Sequence, residues 1–479
     1  MTELQHAAKA TRPRIQPAEE GDRRPLSVSA RLGRLQFHQS GKFRVLQFAD
    51  IQDGPKVSKD TISLIEASLD ATRPDLVIFN GNQIAGYDSA YALTSRKRRW
   101  DARPASASSE ASGERYAAAL EHTRELVRAT IEQLVHPLAD RGVPWAVTFG
   151  DNDEIESICR EFPGCINPER AADGTTGIAV KHGVKHDVGD MEQDFGLPEQ
   201  PVIACAPGTF ALSVTDVDRT YDVLGLVLLD SGDYARSGGY GSPSEAALRF
   251  LADAPGLMAA QSQQLQQDRQ DEQDSPREPR KTPSTLPCMV FQHFPIEQYY
   301  RLLKPVAATA ARAIEGYRNF AGRHFVLNED KTQPGSYLGE GVSCPDADSG
   351  EFAILDKAGY FAISAGHDHR NAFVGSVPVG TDGDRQMMMV ASPTSGFGSY
   401  GPVPAKRAAR LFEFDIRHPY EPRTQLLEYD ELVGKPSAGK AYAYGMTSES
   451  KPDSEGMDLL HRPTWWSKTW NKLVSLFRR

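Results

Sequence analysis

The stretch that decides the fold is KFRVLQFADIQDGPKVSKDTISLIEASLDATRPDLVIFNGN, residues 42–82. An apolar run ending in Phe-Ala-Asp precedes a segment with apolar residues at helical spacing, and a second apolar run then ends in Asn-Gly-Asn. The helical positions are Ile62, Ile65 and Leu69, and Ser58 precedes them as a candidate N-cap. A strand, a helix and a strand at this spacing indicate a βαβ unit and an at least partly parallel sheet.

The same alternation recurs along the chain. Residues 114–142 predict a long helix, and VPWAVTFGD at residues 143–151 predicts a strand. Later apolar runs are YDVLGLVLLDSG, LPCMVFQHF, GYFAISAGHDH and RQMMMVASP. Upstream, LGRLQFHQSGKFRVLQFAD is interpreted as a hairpin around a Ser-Gly-Lys turn. Because ligands bind at the carboxyl ends of strands in open α/β sheets, we expect a functional site where these runs end.

Composition limits the classes of function. The chain has 479 residues, a formal charge of −10 and 39% hydrophobic residues, which suffices for one large α/β domain or two ordinary ones. The acidic balance argues against binding a nucleic-acid polymer. The five cysteines contain no CxxC pair and are interpreted as free thiols in a reducing compartment. With neither a secretion signal nor a long apolar segment in the sequence, we expect a cytoplasmic protein.

The domain organisation follows from shifts in composition. Residues 1–32 are predicted to be a flexible tail, and residues 33–432 a single domain with flexible insertions near 96–115 and 259–286. Residues 433–479 are interpreted as a linker followed by a basic amphipathic helix.

The C-terminal stretch RPTWWSKTWNKLVSLFRR, residues 462–479, carries its own signal. As a helix it places Trp466, Trp470, Leu473, Val474 and Phe477 on one face. Aromatic and aliphatic residues opposite Lys and Arg are typical of an interfacial helix. Two interpretations stay open, namely docking on the domain itself and contact with a membrane surface or a partner.

The chemistry is concentrated at five strand ends: FADIQDG, FNGNQ, FGDNDE, FQHFP and SAGHDHRN. Carboxylates, carboxamides and imidazoles after buried strands are the donors that divalent metals use in proteins. Each residue alone is more readily explained as a cap or turn residue, so the prediction of a metal site rests on their combination. The candidate ligands are Asp50, Gln52, Asn82, Asp151, His293, His367 and His369.

Together these segments resemble the calcineurin-like metallophosphoesterases, and more narrowly the purple-acid-phosphatase-related intracellular branch. Seven segments occur in the family's order between residues 33 and 432: GKFRVLQFADIQDG, RPDLVIFNGNQIAG, PWAVTFGDNDE, LGLVLLDSGDY, EGVSCPDADSGEF, ISAGHDHRNAFVG and SGFGSYG. The resemblance implies an α/β fold, a calcineurin-like metallophosphoesterase sandwich of two mixed β-sheets flanked by helices.

The resemblance also implies two metal positions. One would use Asp50, residue 52, residue 82 and His369, and the other residue 82, residue 151, His293 and His367. Residue 82 would bridge the two ions, and residue 152 would protonate the leaving group. Two ions held in this way activate a bridging hydroxide and neutralise the phosphate.

The chain departs from the family pattern at four of these positions. Gln52 replaces a ligand His, Asn82 the bridging Asp, Asp151 a ligand Asn, and Asn152 the acid His. A neutral carboxamide brings no charge to offset the repulsion between two dications. We therefore expect one firmly bound ion of Mn, Fe or Zn at the two-His, one-carboxylate set of His293, His367 and Asp151, and a second ion that is weak or absent.

These observations predict a metal-dependent phosphoesterase that hydrolyses a phosphorylated small molecule or protein by metal-activated water. Asp151, Asn152 and His293 are its candidate catalytic residues. The alternative is a catalytically weak or inactive relative that keeps the fold to bind a phosphorylated ligand or a partner, and a mononuclear enzyme of another class, such as an oxygenase, is a third possibility. No role follows from the sequence for Asp230 and Tyr234.

Overall fold

The computed structural model describes residues 24–91, 110–150, 197–235, 238–272, 283–434 and 448–449. Its helices are α1 Val28–Leu32, α2 Lys59–Thr72, α3 Glu110–Asp140, α4 Glu245–Glu272, α5 Glu351–Ala358 and α6 Tyr429–Val433. The predicted first helix is confirmed as α2, and the Ser58 side chain accepts a hydrogen bond from the Asp60 amide as its N-cap. The predicted long helix is confirmed as α3.

The strands form two large sheets and two small ones. The five-stranded sheet contains β1 Lys42–Phe48, β2 Leu76–Asn80, β3 Trp145–Thr148, β15 Ala408–Asp415 and β16 His418–Glu428, in the order β16-β15-β1-β2-β3. The seven-stranded sheet contains β4 Val202–Ala206, β5 Thr209–Thr215, β6 Asp222–Leu229, β7 Cys288–Gln292, β12 Ala362–Ala365, β13 Val374–Val379 and β14 Arg385–Ala391. Its order is β13-β14-β12-β7-β6-β5-β4.

The small sheets lie outside the two main layers. One is three-stranded, with β8 Leu303–Val306, β9 Ile314–Glu315 and β10 His324–Leu327 in the order β8-β10-β9. The other pairs β11 Tyr337–Leu338 with β17 Ser448–Glu449.

Both main sheets are mixed, and each contains a run of neighbouring strands that are parallel to one another. In the first sheet β1, β2 and β3 are parallel to one another, whereas β15 is antiparallel to β1. In the second sheet β6, β7, β12 and β14 are parallel neighbours. The expected sandwich of two mixed β-sheets with flanking helices is therefore confirmed, as is the parallel βαβ unit.

Alternation along the strands produces three apolar layers. In β6, Leu224, Leu226 and Leu228 belong to the cluster between the two sheets, whereas Val227 and Leu229 face the cluster under α4. In β1, Phe43 and Val45 face the other sheet, and Leu46 and Phe48 face α2 and α3. Strands buried on both faces read as near-continuous apolar runs, which is why these segments stood out in the sequence.

The structure corrects two of the sequence-based expectations. Residues 32–50 do not form a hairpin, because residue 36 pairs with Thr215 of the second sheet. Leu35 and Phe37 are fully buried between the sheets, so tertiary burial decides the partner of this segment. Only the turn survives, with the His38 amide donating to the Lys42 carbonyl.

The second correction concerns the expected flexible insertions. Residues 259–272 complete α4, and residues 110–115 begin α3, so these parts of the two insertions are helical. The polar composition hid a helix whose buried side carries small residues, among them Ala254, Ala259 and Ser262. Residues 92–109 and 273–282 lie outside the described residues.

Other expectations meet the structure only in part. Cys205, Cys288 and Cys344 are free thiols, whereas Cys159 and Cys165 lie outside the described residues. The same holds for most of the N-terminal tail and for the whole C-terminal amphipathic segment. Within the described ranges, none of the helices has the length and apolar character that crossing a bilayer requires.

Candidate metal centre

The carboxyl ends of the parallel strands of both sheets meet at one place. Asp50 follows β1, Asn82 follows β2 and Gly150 follows β3, while His293 follows β7 and the segment from His367 to His369 follows β12. The two sheets are joined here, since the Ser395 amide donates to the Ala49 carbonyl and residues 49 and 394 form a bridge. The expectation that the strand ends converge is therefore met.

The backbone at this place is unusual. Asp50, Gln52, Asn82 and His367 have φ values of 49°, 43°, 52° and 69°, in the left-handed region that non-glycine residues seldom adopt. Such conformations cost about 1–3 kcal/mol each and cluster at functional sites, where the surrounding structure holds them. They turn the chain sharply after β1, β2 and β12 and bring the side chains of Asp50, Asn82 and His367 into a small volume.

The Asp50 carboxylate is the centre of the group. It is fully buried, and its Oδ2 accepts a hydrogen bond from the His367 backbone amide at 2.6 Å. Its Oδ1 lies 3.4 Å from His369 Nε2 and 3.7 Å from His293 Nε2. Donor atoms of Asp50, His293 and His367 all lie within 4.8 Å of one another, so these residues can hold a metal ion.

Hydrogen bonds to backbone carbonyls orient two of the imidazoles. His293 Nδ1 lies 3.1 Å from the Asn80 carbonyl oxygen, and His369 Nδ1 lies 2.8 Å from the Tyr400 carbonyl oxygen. A carbonyl accepts a hydrogen bond from Nδ1–H, so Nε2 is the nitrogen that lies on the side of Asp50 and can bind a metal ion. Histidine ligands are oriented in this way by an outer hydrogen bond, so the residues fit a divalent ion.

The glycines of the strand ends permit this close packing. A Cβ at Gly81 would lie 2.4 Å from His293 Nδ1, and a Cβ at Gly366 would lie 2.7 Å from Asp50 Oδ2. Both contacts are too short for a side chain. The glycines that follow the apolar runs in the sequence therefore make room for the site.

Electrostatics within the group are strongly coupled. Burial alone would raise the pKa of Asp50, but the nearby His293 and His369 outweigh it and lower the pKa below its usual range. Burial alone would lower the pKa of His369, but Asp50 raises it on balance. A carboxylate that stays ionised among imidazoles is suited to binding a cation.

Two carboxamides occupy positions where the family resemblance implies charged or imidazole ligands. Asn82 Nδ2 lies 3.4 Å from Asp50 Oδ1, and the Asn82 side chain is almost fully buried. Gln52 is also buried, and its Oε1 accepts a hydrogen bond from the Tyr87 hydroxyl. The Asn82 amide therefore lies beside the carboxylate, and the Gln52 backbone amide donates to the Asn82 carbonyl at 2.9 Å. The roles of Gln52 and Asn82 as ligands stay predictions.

Asp151 and Asn152 lie outside the described residues, but the chain reaches the site just before them. A Cβ at Gly150 would lie 2.2 Å from Asn82 Oδ1, so the end of β3 passes directly against Asn82. The roles of Asp151 and Asn152 as ligand and catalytic residue stay predictions.

Sequence reasoning missed the aromatic residues around the histidines. The Tyr240 ring meets the edge of His367 with centroids 4.3 Å apart, and Phe294 packs on the same imidazole at 4.8 Å. The Tyr400 ring stacks on His369 at 4.2 Å and 6°. Tyr400 lies in SGFGSYG, one of the seven segments of the family's order, which was the available signal. Tyr234, left without a role, packs against Tyr240 at 5.7 Å.

Two carboxyl groups, those of Asp368 and Glu340, hold the segment around His367 and His369 in place through hydrogen bonds. Asp368 accepts hydrogen bonds from the Ser343 amide and from Asn371 Nδ2, and Glu340 accepts one from the Arg370 amide. Burial and the proximity of Glu340 raise the pKa of Asp368 well above its ordinary value. Sequence reasoning also missed this pair, although EGVSCPDADSGEF contains Glu340 and ISAGHDHRNAFVG contains Asp368.

A second buried carboxyl supports the strand that carries His293. Burial raises the pKa of Glu351 to about 8, and its side-chain partner is Gln292 at the end of β7. Within the described part of the chain, neither Glu351 Oε1 nor Gln292 Oε1 has a hydrogen-bond partner. The hydrogen bond with Gln292 lowers the pKa of Glu351, but burial outweighs it, so the carboxyl keeps its proton up to about pH 8.

We expect Glu351→Gln to stabilise the protein at alkaline pH. The folded state keeps the Glu351 proton between pH 4.5 and about 8, whereas the unfolded chain releases it, so wild-type stability falls as the pH rises through this window. At ~1.4 kcal/mol per pKa unit, the variant's free energy of unfolding should exceed that of the wild type by several kcal/mol at pH 9 and match it near pH 4.5. Urea denaturation at both pH values measures this. Glu431→Gln, at an exposed residue of α6, is the matched control, and a difference that is independent of pH would contradict the assignment.

The chain has distant similarity to a few known proteins. No protein-family model matches the chain. "Probable inactive purple acid phosphatase 28" of Arabidopsis thaliana is 22% identical over 400 residues, covering 79% of this chain and 77% of the relative. Among solved structures, PhoD has a TM-score of 0.37 and 10% identity, covering 93% of this chain and 79% of its own. GAP50, the anchor in the inner membrane complex of Plasmodium, has a TM-score of 0.34 and 10% identity, covering 86% of this chain and 90% of its own.

A sandwich of two mixed sheets, with a carboxylate and histidines at the ends of its parallel strands, is the arrangement that the resemblance to the calcineurin-like metallophosphoesterases implies. The chain is similar in sequence to the probable inactive purple acid phosphatase 28 of the plant Arabidopsis thaliana.

Proposed function

We propose that this protein is a metal-dependent phosphoesterase that hydrolyses the ester of a phosphorylated small molecule or protein. The observation that carries the proposal is the buried Asp50 carboxylate, whose charge lies among the imidazoles of His293, His367 and His369. A buried carboxylate beside several imidazoles is the donor set of a divalent ion.

The proposed roles of the residues follow from their contacts. His293 and His367 complete a two-His, one-carboxylate set with Asp50, and Asp151 is proposed to approach the same set from the end of β3. A divalent ion bound there supplies Lewis-acid polarisation of a phosphoryl oxygen and activation of water. The Asn82 amide and the predicted Asn152 amide are proposed to orient the phosphate, since carboxamides donate hydrogen bonds without adding charge.

The ligand set supports one firmly bound ion. Mn, Fe or Zn suits two imidazoles and a carboxylate. A second position near His369 has carboxamides from Gln52 and Asn82 in place of an imidazole and a bridging carboxylate, so an ion there is proposed to bind weakly. Asp50 Oδ1 lies 3.7 Å from His293 Nε2 and 3.4 Å from His369 Nε2. This supports a site in which both metal positions depend on the Asp50 carboxylate.

A second candidate function has its own support. The plant relative carries the word inactive in its name, and Asn82 and Asn152 replace the two residues on which the resemblance bases bridging and proton transfer. A catalytically weak or inactive protein that binds a phosphorylated ligand or a partner is therefore the alternative. It shares the metal site with the first proposal but not the turnover.

Metal content tests the site itself. We expect about one tightly bound ion of Mn, Fe or Zn per chain in the purified protein, and clearly less in His293→Ala and Asp151→Ala, because each removes a donor. Elemental analysis after dialysis measures the stoichiometry. His136→Ala is the matched control, since His136 pairs with Asp140 on the exposed face of α3. Protein that stays free of metal after loading with each of the three ions would contradict the proposal.

A further inference from the structure

Each of the two histidines of the Gly-His-Asp-His segment packs against the ring of a tyrosine from elsewhere in the chain. Tyr240, from the segment after β6, meets His367 edge to face at 4.3 Å, and Tyr400, from the segment after β14, stacks on His369 at 4.2 Å. Tyr400 is 39% exposed, so its ring covers the imidazole on one side and reaches solvent on the other. The rings therefore form part of the entrance to the site rather than of the core.

Tyr240 is held in place by further rings. Tyr317 stacks on it at 5.6 Å and 29°, Tyr234 packs against it at 5.7 Å, and Phe294 lies beneath it at 4.8 Å. Residues 234 and 240 also form a β-bridge, and the Gly241 amide donates to the Asp233 carbonyl. This wall is built from three different segments of the chain, and Tyr234, Tyr240 and Tyr317 are all only half-buried.

A third side of the entrance is also aromatic. Tyr87 is 60% exposed, and its hydroxyl donates to Gln52 Oε1, which tethers the ring beside the second metal position. Packing of the ligands alone would explain buried rings, but it does not explain exposed ones. Exposed aromatic faces around a polar site offer stacking surfaces to a planar group of a ligand.

We propose that Tyr240, Tyr400 and Tyr87 bind the leaving group of the substrate, and that this group is an aromatic ring attached directly to the ester oxygen. The substrate class is thus an aryl phosphate monoester. This inference rests on the proposed function, because it names the substrate of the same metal site. A phosphotyrosine side chain has the same chemistry as a small phenolic ester, and the two sources are distinguished below.

The chemistry of the step agrees with this substrate. Water forms a new P–O bond, the P–O bond to the ring breaks, and the phenolate leaves with the electron pair and takes up the proton that water releases. A phenol has a pKa of about 10, so its anion leaves without help from an acid. An alkoxide needs a proton in the transition state, and Asn152 stands where the resemblance implies the acid that would give it.

Binding of unreactive analogues tests the aromatic entrance without requiring turnover. Phenylphosphonate and cyclohexylphosphonate have the same charge and similar size, but only the first has a planar ring. We expect Mn-loaded protein to bind phenylphosphonate about tenfold more tightly in titration calorimetry, which is the upper range for aromatic stacking. The preference should be lost in Tyr240→Leu with Tyr400→Leu and kept in Tyr240→Phe with Tyr400→Phe, because phenylalanine keeps the ring.

The control variant is Tyr420→Leu. Tyr420 is 42% exposed and packs on Phe361, which precedes β12, so it lies at the opposite end of that strand from the site. Equal affinity for the two phosphonates, or a preference that survives the double leucine variant, would overturn the inference. Free phosphotyrosine and a phosphotyrosine peptide, compared in the same assay, distinguish a small-molecule substrate from a protein one.

Turnover separates this inference from the proposed function. Hydrolysis of phenyl and cyclohexyl phosphate with equal KM would overturn the aromatic entrance and leave the phosphoesterase proposal standing. A ring-dependent preference for phenylphosphonate with no hydrolysis of any ester would overturn the phosphoesterase proposal and leave the aromatic entrance standing as a binding surface. The expected result is a KM for phenyl phosphate about tenfold lower than for cyclohexyl phosphate, rising to the same value in the double leucine variant.

Discussion

Asp50→Asn is expected to weaken metal binding by more than about 100-fold and to abolish hydrolysis of phosphate esters. Loss of an outer hydrogen-bond partner already costs 10–100-fold in metal affinity, and Asp50 is a candidate ligand rather than an outer partner. Asparagine keeps the shape of the side chain and removes only the charge that lies among His293, His367 and His369. Metal titration by calorimetry, together with phenyl phosphate turnover, measures both effects.

The matched control for Asp50→Asn is Asp75→Asn. Asp75 is a buried carboxylate with its own histidine partner, His38, at 2.7 Å, and it lies just before β2, at the opposite end of that strand from the metal centre. We expect the control to lose stability and keep its metal affinity. Unchanged metal affinity in Asp50→Asn, with a normal circular dichroism spectrum, would exclude Asp50 as a ligand.

The second large effect concerns the replaced acid. Asn152→His is expected to raise kcat for alkyl phosphates by about 10²–10⁴-fold, the usual contribution of a general acid, with little change for aryl phosphates. The end of β3 passes against Asn82 at Gly150, and Asn152 follows two residues later in the sequence. The ratio of kcat values for cyclohexyl and phenyl phosphate measures the effect directly.

Asn152→Gln controls for a larger side chain without a titratable group. Adding Asn82→Asp to Asn152→His tests the bridge as well, since a carboxylate there offsets the repulsion between two ions. We expect the double variant to bind two ions per chain where Asn152→His binds one. An alkyl-to-aryl ratio that stays the same in all three variants would contradict a general-acid position at residue 152.

Relative to the family pattern that the resemblance implies, the sequence loses a carboxylate at Asn82 and gains one at Asp151. The three histidines of that pattern are present, and their Nδ1 atoms or backbones are held by specific hydrogen bonds. The proposed site, with one firm ion and a preference for good leaving groups, would account for both the histidines and the changed residues.

Much of the site could be predicted from sequence because strand ends and apolar runs are local features. Asp50, Asn82, His293, His367 and His369 each follow a buried strand, and parallel strands bring their carboxyl ends to one edge. The grouping within the site could not be predicted in the same way. Sequence reasoning placed Asp50 with His369, whereas the structure places its carboxylate within 3.7 Å of both His369 and His293.

The aromatic entrance shows the opposite case. Tyr240, Tyr317 and Tyr400 lie far apart in the chain, and no spacing or periodicity connects them. Their association depends on how the segments after β6 and β14 pass over the histidines, and such long-range contacts leave no local pattern. The half-buried partners of a site are therefore the residues that sequence reasoning misses first.

The sequence by itself determined the alternation of strands and helices, the parallel direction of the central strands and the chemical nature of the donors, because all three depend on apolar periodicity and residue type. Only the tertiary structure decided where Leu35 and Phe37 are buried and that residues 259–272 are helical. It also decided that the Asp50 carboxylate lies among three imidazoles. These outcomes depend on burial against distant residues. When a segment buries a large apolar area against distant residues, the free energy of that burial outweighs the segment's local conformational propensity.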